Sequence, residues 1–179
     1  MEKIIIFYDD TKTACIRAAE KFGAHENTEC RKASEYRDKT LVFAMDAKVG
    51  FIFEAENGRV PYVISHIIWR MSADKNREHM LMVTGGRREL KAIRTAEKDM
   101  EKRGYHVGSI YTRYILDKYK LTEDESVGLI IEDMITGKTR NEFREKYSGM
   151  SRRELMKHFR NELKAYRKFQ KSNTQKRKI

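Results

Sequence analysis

Short apolar runs alternate with longer stretches of helical period across residues 1–138. Ile4 to Tyr8 is continuously apolar and rich in β-branched residues, which predicts a parallel strand buried on both faces. Thr11 to Phe22 has helical composition, and Gly23 stands where a C-terminal cap would. Thr28 to Ala33 reads as a short polar edge strand, and Leu41 to Met45 as a second buried strand. A loop with Gly50 and Gly58 leads to Pro61, placed for the first turn of a helix. In that helix Val60, Val63, Ile64, Ile67, Ile68 and Met71 recur on one face. Met80 to Val83 is a third buried run and ends in Thr84-Gly85-Gly86. Arg87 to Arg103 carries Leu90, Ile93, Ala96 and Met100 on one helical stripe and stops at Gly104. Val107 to Ile115 supplies the last strand. Thr122 with Glu125 then forms a capping box opening a helix through Ile135, closed by Gly137. This rhythm predicts an α/β fold: a doubly wound, parallel, five-stranded sheet in a three-layer sandwich.

Composition changes the picture beyond residue 138. The chain of 179 residues is 40% hydrophobic and 36% charged, with a net charge of +11. Of its 38 Lys/Arg and 27 Asp/Glu, residues 139–179 hold 14 and 4, so nearly all the excess lies there. The expected organisation is therefore a domain at 1–138 and a basic helical extension at 139–179, its last ~8 residues disordered. Capping boxes at Thr139/Glu142 and Ser151/Glu154 open two helices in the extension. In the second, Leu155, Phe159, Leu163, Tyr166 and Phe169 form an apolar stripe, which must pack on the domain or on a second copy in a homodimer. No apolar run approaches a membrane span, and Met1-Glu2-Lys3 begins no secretory signal. Cys15 and Cys30 make neither a disulfide framework nor a zinc site, and a cytoplasmic location is expected. Ser/His/Asp, HExxH, CxxC and Walker motifs are absent from the sequence.

Ligands of open α/β sheets bind beyond the carboxyl ends of the strands, where strand order reverses. Three loops are expected to converge there: Asp9–Thr13, Met45–Phe53 and Thr84–Arg88. The "IIIFY" first strand, the "GRVPYVISHIIWRM" helix opening and "HMLMVTGG" make residues 1–137 resemble the flavodoxin family. The resemblance implies a redox protein that binds FMN non-covalently and exchanges electrons with a partner protein. It places Thr11, Lys12 and Thr13 at the phosphate, Met45, Phe51 and Phe53 beside the isoalloxazine ring, and Thr84, Gly85 and Gly86 at the third loop. The family's phosphate-loop glycine is missing, and Asp9 and Asp10 stand in that loop.

Four other arrangements bear on function. Asp9, Asp10, Asp46 and Thr84 resemble the acidic pair, phosphorylatable Asp and hydroxyl of receiver domains, which would bind a divalent metal. Cys15 near a helix start could have a lowered thiol pKa, and His66 and Trp69 could meet on one helix face. "TRNEFREKYSGMSRRELMKHF" resembles a helix-turn-helix with Thr139–Tyr147 first, Ser148–Met150 as the turn and Ser151 opening the recognition helix. That resemblance turns Arg152, Arg153, Lys157 and Arg160 towards nucleic acid, with an acidic protein as the other partner of a cofactor-free protein of this fold.

Overall fold

The computed structural model describes residues 2–142 and, beyond them, 151, 153, 154, 157, 160, 161, 164 and 168. Contacts divide the chain into two compact units, Met1–Asn141 and Glu142–Ile179.

The first unit is an α/β fold around a parallel sheet of five strands. β1 (Lys3–Tyr8), β2 (Thr28–Lys32), β4 (Ala47–Ala55), β6 (Glu78–Gly86) and β7 (His106–Thr112) lie side by side in the order β2-β1-β4-β6-β7. Every neighbouring pair is parallel. Two three-residue strands, β3 (Val42–Ala44) and β5 (Met71–Ala73), form a separate parallel pair.

Residues on one face of the sheet meet α1 (Thr13–Gly23), α4 (Arg113–Lys118) and α5 (Glu123–Thr136). Ile4, Ile6 and Tyr8 pack there with Ile52, Met80 and Tyr111 against Cys15, Ala19 and Phe22 of α1 and Val127, Ile130 and Met134 of α5. The period-two alternation of strands sends Phe7 and Phe51 to the opposite face, where their rings stack at 5.7 Å. On that side α2 (Tyr62–Arg70) packs on α3 (Glu89–Lys102), which lies on β4, β6 and β7.

Local signals explain most boundaries. The Thr122/Glu125 capping box is formed, and Gly137 ends α5 with φ 71°. Pro61 immediately precedes α2, whose Ile64, Ile67 and Ile68 are buried. α3 begins only at Glu89, because Arg88 adopts a left-handed φ of 58°.

Three expectations are corrected. The segment expected as the Met45–Phe53 loop is largely β4, the central strand, with eight of its nine residues buried. Leu41 to Met45 contributes only β3, outside the main sheet: Val42 and Ala44 face inward while Leu41, Phe43 and Met45 are exposed. The last strand stops at Thr112, whose hydroxyl accepts from Ile115 N–H (3.2 Å) and caps α4.

Two buried polar networks brace the unit. Nδ1 of His79 accepts from Val49 N–H (3.1 Å) and its Nε2 donates to Asp74 O (2.9 Å), a neutral ring with both nitrogens used. Burial pushes the His79 pKa down to about 4. At the β7 edge, the Tyr111 hydroxyl donates to buried Asp133 Oδ2 (2.8 Å), which also accepts from Arg140 Nε. The backbone past α5 lies along β7: Ile110 N–H donates to Arg140 O (2.9 Å) and Arg140 N–H to Ser109 Oγ (3.0 Å).

Among the described residues of the second unit, Arg153, Glu154, Lys157, Arg160, Asn161, Lys164 and Lys168 are helical and exposed. The Ser151/Glu154 box is present: Ser151 N–H donates to Glu154 Oε2 (2.8 Å) and Glu154 N–H to Ser151 Oγ (3.3 Å). The helix-turn-helix turn, Arg152, the apolar stripe and the expected disordered tail lie outside the described residues.

Candidate functional site

The strand order turns at β1. The chain leaves it through α1 to reach β2 on one side and returns to β4 on the other. The carboxyl ends of β1 and β4 therefore diverge into loops on opposite faces, the switch point of strand order beside which ligands of such sheets bind in a crevice.

The loop after β1 is organised by its own two aspartates. Asp9 is 1% exposed, and its Oδ1 accepts from Thr11 N–H (3.1 Å) and Thr11 Oγ1 (2.6 Å), an Asx turn that draws the Thr11 hydroxyl inward. Its Oδ2 is buried without a partner. Asp10 turns away: its carboxylate accepts from Ser34 N–H (3.0 Å) and Ser34 Oγ (2.6 Å) on the 3₁₀ turn Ala33–Tyr36. Burial pushes the Asp10 carboxyl up, but the Ser34 bonds outweigh it and hold the pKa below the usual aspartate value. Lys12 is the N-cap of α1 and makes no side-chain cap. The first N–H groups of the helix thus have no side-chain acceptor from their own cap, and Lys12 and Thr13 flank them.

Cys15, one turn into α1, is fully buried with Sγ 3.3 Å from Thr84 Oγ1. Burial pushes its thiol up to about 11, and the Thr84 contact only partly opposes this. The lowering that a helix start could give is outweighed, because desolvation exceeds the dipole at a buried sulfur, and Cys15 is a buried structural thiol. Thr84 in turn donates to Phe53 O (3.4 Å), so its hydroxyl serves the interior.

The loop after β4 is Glu56–Pro61, which the sequence reading did not bring to the site. Asn57 (φ 53°) and Gly58 (φ 85°) form a two-residue turn that pairs Glu56 with Arg59. The Asn-Gly dipeptide after an apolar run is the signal that could have found it. Gly58 N–H donates to Arg87 O (2.8 Å) and ties this loop to the one after β6. In that third loop Gly85 (φ 140°) borders open space, whereas a Cβ on Gly86 (φ 103°) would lie 2.2 Å from Ala55 O. Gly86 thus serves the close approach of β6 to β4, and of the Gly pair only Gly85 faces free volume. Glu89, in the first turn of α3, is 4% exposed with Oε2 unpartnered; burial pushes its carboxyl up to about 7.

Of the expected site residues, Thr11, Lys12, Thr13, Thr84, Gly85 and Gly86 lie at the carboxyl ends. Met45 and Asp46 precede β4 at its amino end, on the far side of the sheet from Asp9. Phe51 and Phe53 are fully buried within β4. The receiver-like set is therefore not assembled, because Asp46 sits at the opposite end from Asp9 and Asp10. Among the described residues no group of three His, Cys, Asp or Glu could hold a metal. His66 and Trp69 do not pair with one another: His66 Nε2 bonds with Lys39 O (2.8 Å) and stands beside Tyr62, and Trp69 lies under Lys102. Among the described residues no helix is long and apolar enough to cross a membrane.

The residues expected around FMN divide into two groups. Lys12, Thr13 and the first turn of α1 suit a phosphate. The ring fares otherwise: of its three expected neighbours two are core residues and the third is at the other end of the sheet. Comparison with family models, curated proteins and solved structures gives no match.

Proposed function

We infer that the α/β unit is a flavodoxin-like binding module for a small phosphate-bearing ligand, held at the carboxyl ends of β1 and β4. Counted within the main sheet alone, the strand order reads 2-1-3-4-5, which supports flavodoxin-type winding. The ligand class rests on one observation: α1 opens at the carboxyl end of β1 with Lys12 as an N-cap that makes no side-chain cap bond. A helix start in that state offers backbone N–H groups and a partial positive charge to an anion. The adjacent ammonium of Lys12 and hydroxyl of Thr13 add a cation and a donor. Asp9 acts here as the loop's internal acceptor: its Oδ1 holds Thr11 and its Oδ2 is buried.

The electron-carrier role implied by the resemblance draws no support from ring contacts, and strand order bears on the fold alone, so no redox step is assigned to these residues. Thermal unfolding of the full chain with inorganic phosphate, FMN or riboflavin separates the two halves of the question. Phosphate and FMN should each raise Tm, riboflavin should not, and Lys12→Ala should abolish both shifts. A shift that survives in Lys12→Ala, or no shift with either phosphate compound, refutes the site. A riboflavin shift equal to that of FMN would return the ring to the argument.

A further inference from the structure

One carboxylate oxygen at the carboxyl ends of the strands is left without a partner. Asp9 is 1% exposed, and while its Oδ1 holds Thr11, its Oδ2 is buried with nothing bonded to it. An oxygen in that state is costly unless a cation or a hydrogen-bond donor reaches it. Glu54 brings a second carboxylate to the same place. Asp9 N–H donates to Ile52 O (2.9 Å), which lays the end of β1 on β4 two residues short of Glu54. Ile52 packs in the core on the α1 and α5 side, and the period-two alternation turns Glu54 to that side as well. Phe53 pairs with Val83 and Ala55 with Gly86, so Glu54 lies against the irregular step at Thr84 and Gly85, and Gly85 borders open space. Cys15 reports the same grouping: its thiol is raised first by burial, with the Thr84 hydroxyl opposing, and then feels Asp9, Glu54 and Lys12 together.

We propose that Asp9 and Glu54 hold a divalent cation of the magnesium type against the phosphate of the ligand, so that the site takes a metal-bound phosphate compound, an inference that rests on the phosphate reading above. A phosphate at the start of α1 otherwise faces two carboxylates with Lys12 offsetting one of them, and like charges at that range repel. A divalent ion between them turns the repulsion into attraction on both sides. Two carboxylates are too few to hold the ion alone, and among the described residues no third His, Cys, Asp or Glu completes a metal-holding group with them. Magnesium is bound in this way, through one or two carboxylates plus phosphate oxygens, with waters filling its remaining positions. Glu54, half-buried, supplies the ligand nearer solvent, and Asp9 Oδ2 supplies charge and an acceptor behind it, for the ion or for one of its waters. The buried Cys15 thiol offers no thiolate to a soft metal, so the set favours a hard, oxygen-loving ion.

The test is thermal unfolding of the full chain over a series of inorganic phosphate concentrations, with and without millimolar Mg2+. Alongside it, Mn2+ binding is followed by loss of the free-ion electron paramagnetic resonance signal, with and without phosphate. Mg2+ should tighten phosphate binding about tenfold, within the usual range of coupling between two ligands, and phosphate should tighten Mn2+ by a comparable factor. Glu54→Gln, which keeps the shape and removes the charge, should erase both gains. A phosphate shift that Mg2+ leaves unchanged overturns the metal and leaves the phosphate site standing. Mn2+ bound as tightly without phosphate overturns it too, as does a gain that survives in Glu54→Gln. No phosphate shift in either condition removes the phosphate reading and this inference with it. The wild-type measurements decide the question whether or not the variant folds.

Discussion

Glu89 should make the protein less stable as pH rises through neutrality. Its carboxyl is 4% exposed, one oxygen has no partner, and burial pushes its pKa up to about 7 from a usual 4.5. Below pH 4.5 the carboxyl is protonated in both folded and unfolded chains and costs nothing. Between pH 4.5 and 7 the unfolded chain releases the proton while the folded one retains it, so stability falls with rising pH. Above 7 the loss levels off at about 3 kcal/mol, from roughly 2.5 pKa units at ~1.36 kcal/mol each. The position of Glu89 in the first turn of α3 favours its charged form and returns ~0.3–1 kcal/mol, so about 2–3 kcal/mol is expected. Glu89→Gln replaces the protonated acid by a near-isostere that does not titrate. Urea unfolding of both proteins at pH 5 and pH 8 gives two stability differences, and subtracting one from the other removes any fixed cost of the amide. The variant should gain about 2–3 kcal/mol on wild type between the two pH values. A gain below about 0.5 kcal/mol, comparable to an ordinary surface change, would sink the argument that this carboxyl is desolvated and unpaired.

His79 carries the opposite slope. Its folded pKa of about 4 lies below the usual 6.5, so the unfolded chain takes up a proton first as pH falls. Stability present above pH 6.5 should decline by about 3 kcal/mol on the way to pH 4, and His79→Gln should flatten that limb in a urea-midpoint series. Gly86→Ala should fail to fold or unfold at much lower denaturant, since the new Cβ meets the Ala55 carbonyl; Gly128→Ala, in open space on α5, should stabilise by about 0.5–1 kcal/mol. Cys15, buried with its thiol at about 11, should resist a thiol reagent in the native protein and react on unfolding; fast native labelling would contradict the packing around Thr84. Arg140→Ala removes the cation from buried Asp133 and should cost about 3 kcal/mol in the same assay, with little loss if the pair is idle.

The α/β rhythm was legible because β1, β6, α1, α2, α3 and α5 each carry a period and a stop signal of their own. β4 escaped for a definite reason. It contains Lys48 and Gly50, both of which argue against a central strand when read locally. In the fold Lys48 buries its stem and brings its ammonium to the Met134 carbonyl and to Glu2 (3.0 Å). Gly50 is demanded by its neighbours, since a Cβ there would lie 2.5 Å from Ile6 Cδ1 and 2.6 Å from Met80 Cε. Both facts depend on other segments of the fold and have no trace in the local pattern. Losing β4 displaced the second site loop to the wrong end of the sheet and carried Met45, Asp46 and Phe51 with it. The first loop was placed correctly, but which way Asp9 and Asp10 point depends on Thr11 and on Ser34, the latter supplied by the turn after β2.

The backbone laid along β7 has a consequence for how this protein can be cut. β7 is the terminal strand of the sheet, and an uncovered terminal strand offers its amides and carbonyls to any other chain in extended form. Here Arg140 takes the Ile110 amide and seats its own N–H on Ser109, so the middle of that border is covered by residues that follow α5. A fragment trimmed at Gly137, the end of α5, would keep every helix and strand of the α/β unit yet bare that border. Such a fragment should self-associate, whereas one ending after Asn141 should stay dispersed. The short run past α5 is therefore the selvedge of the sheet.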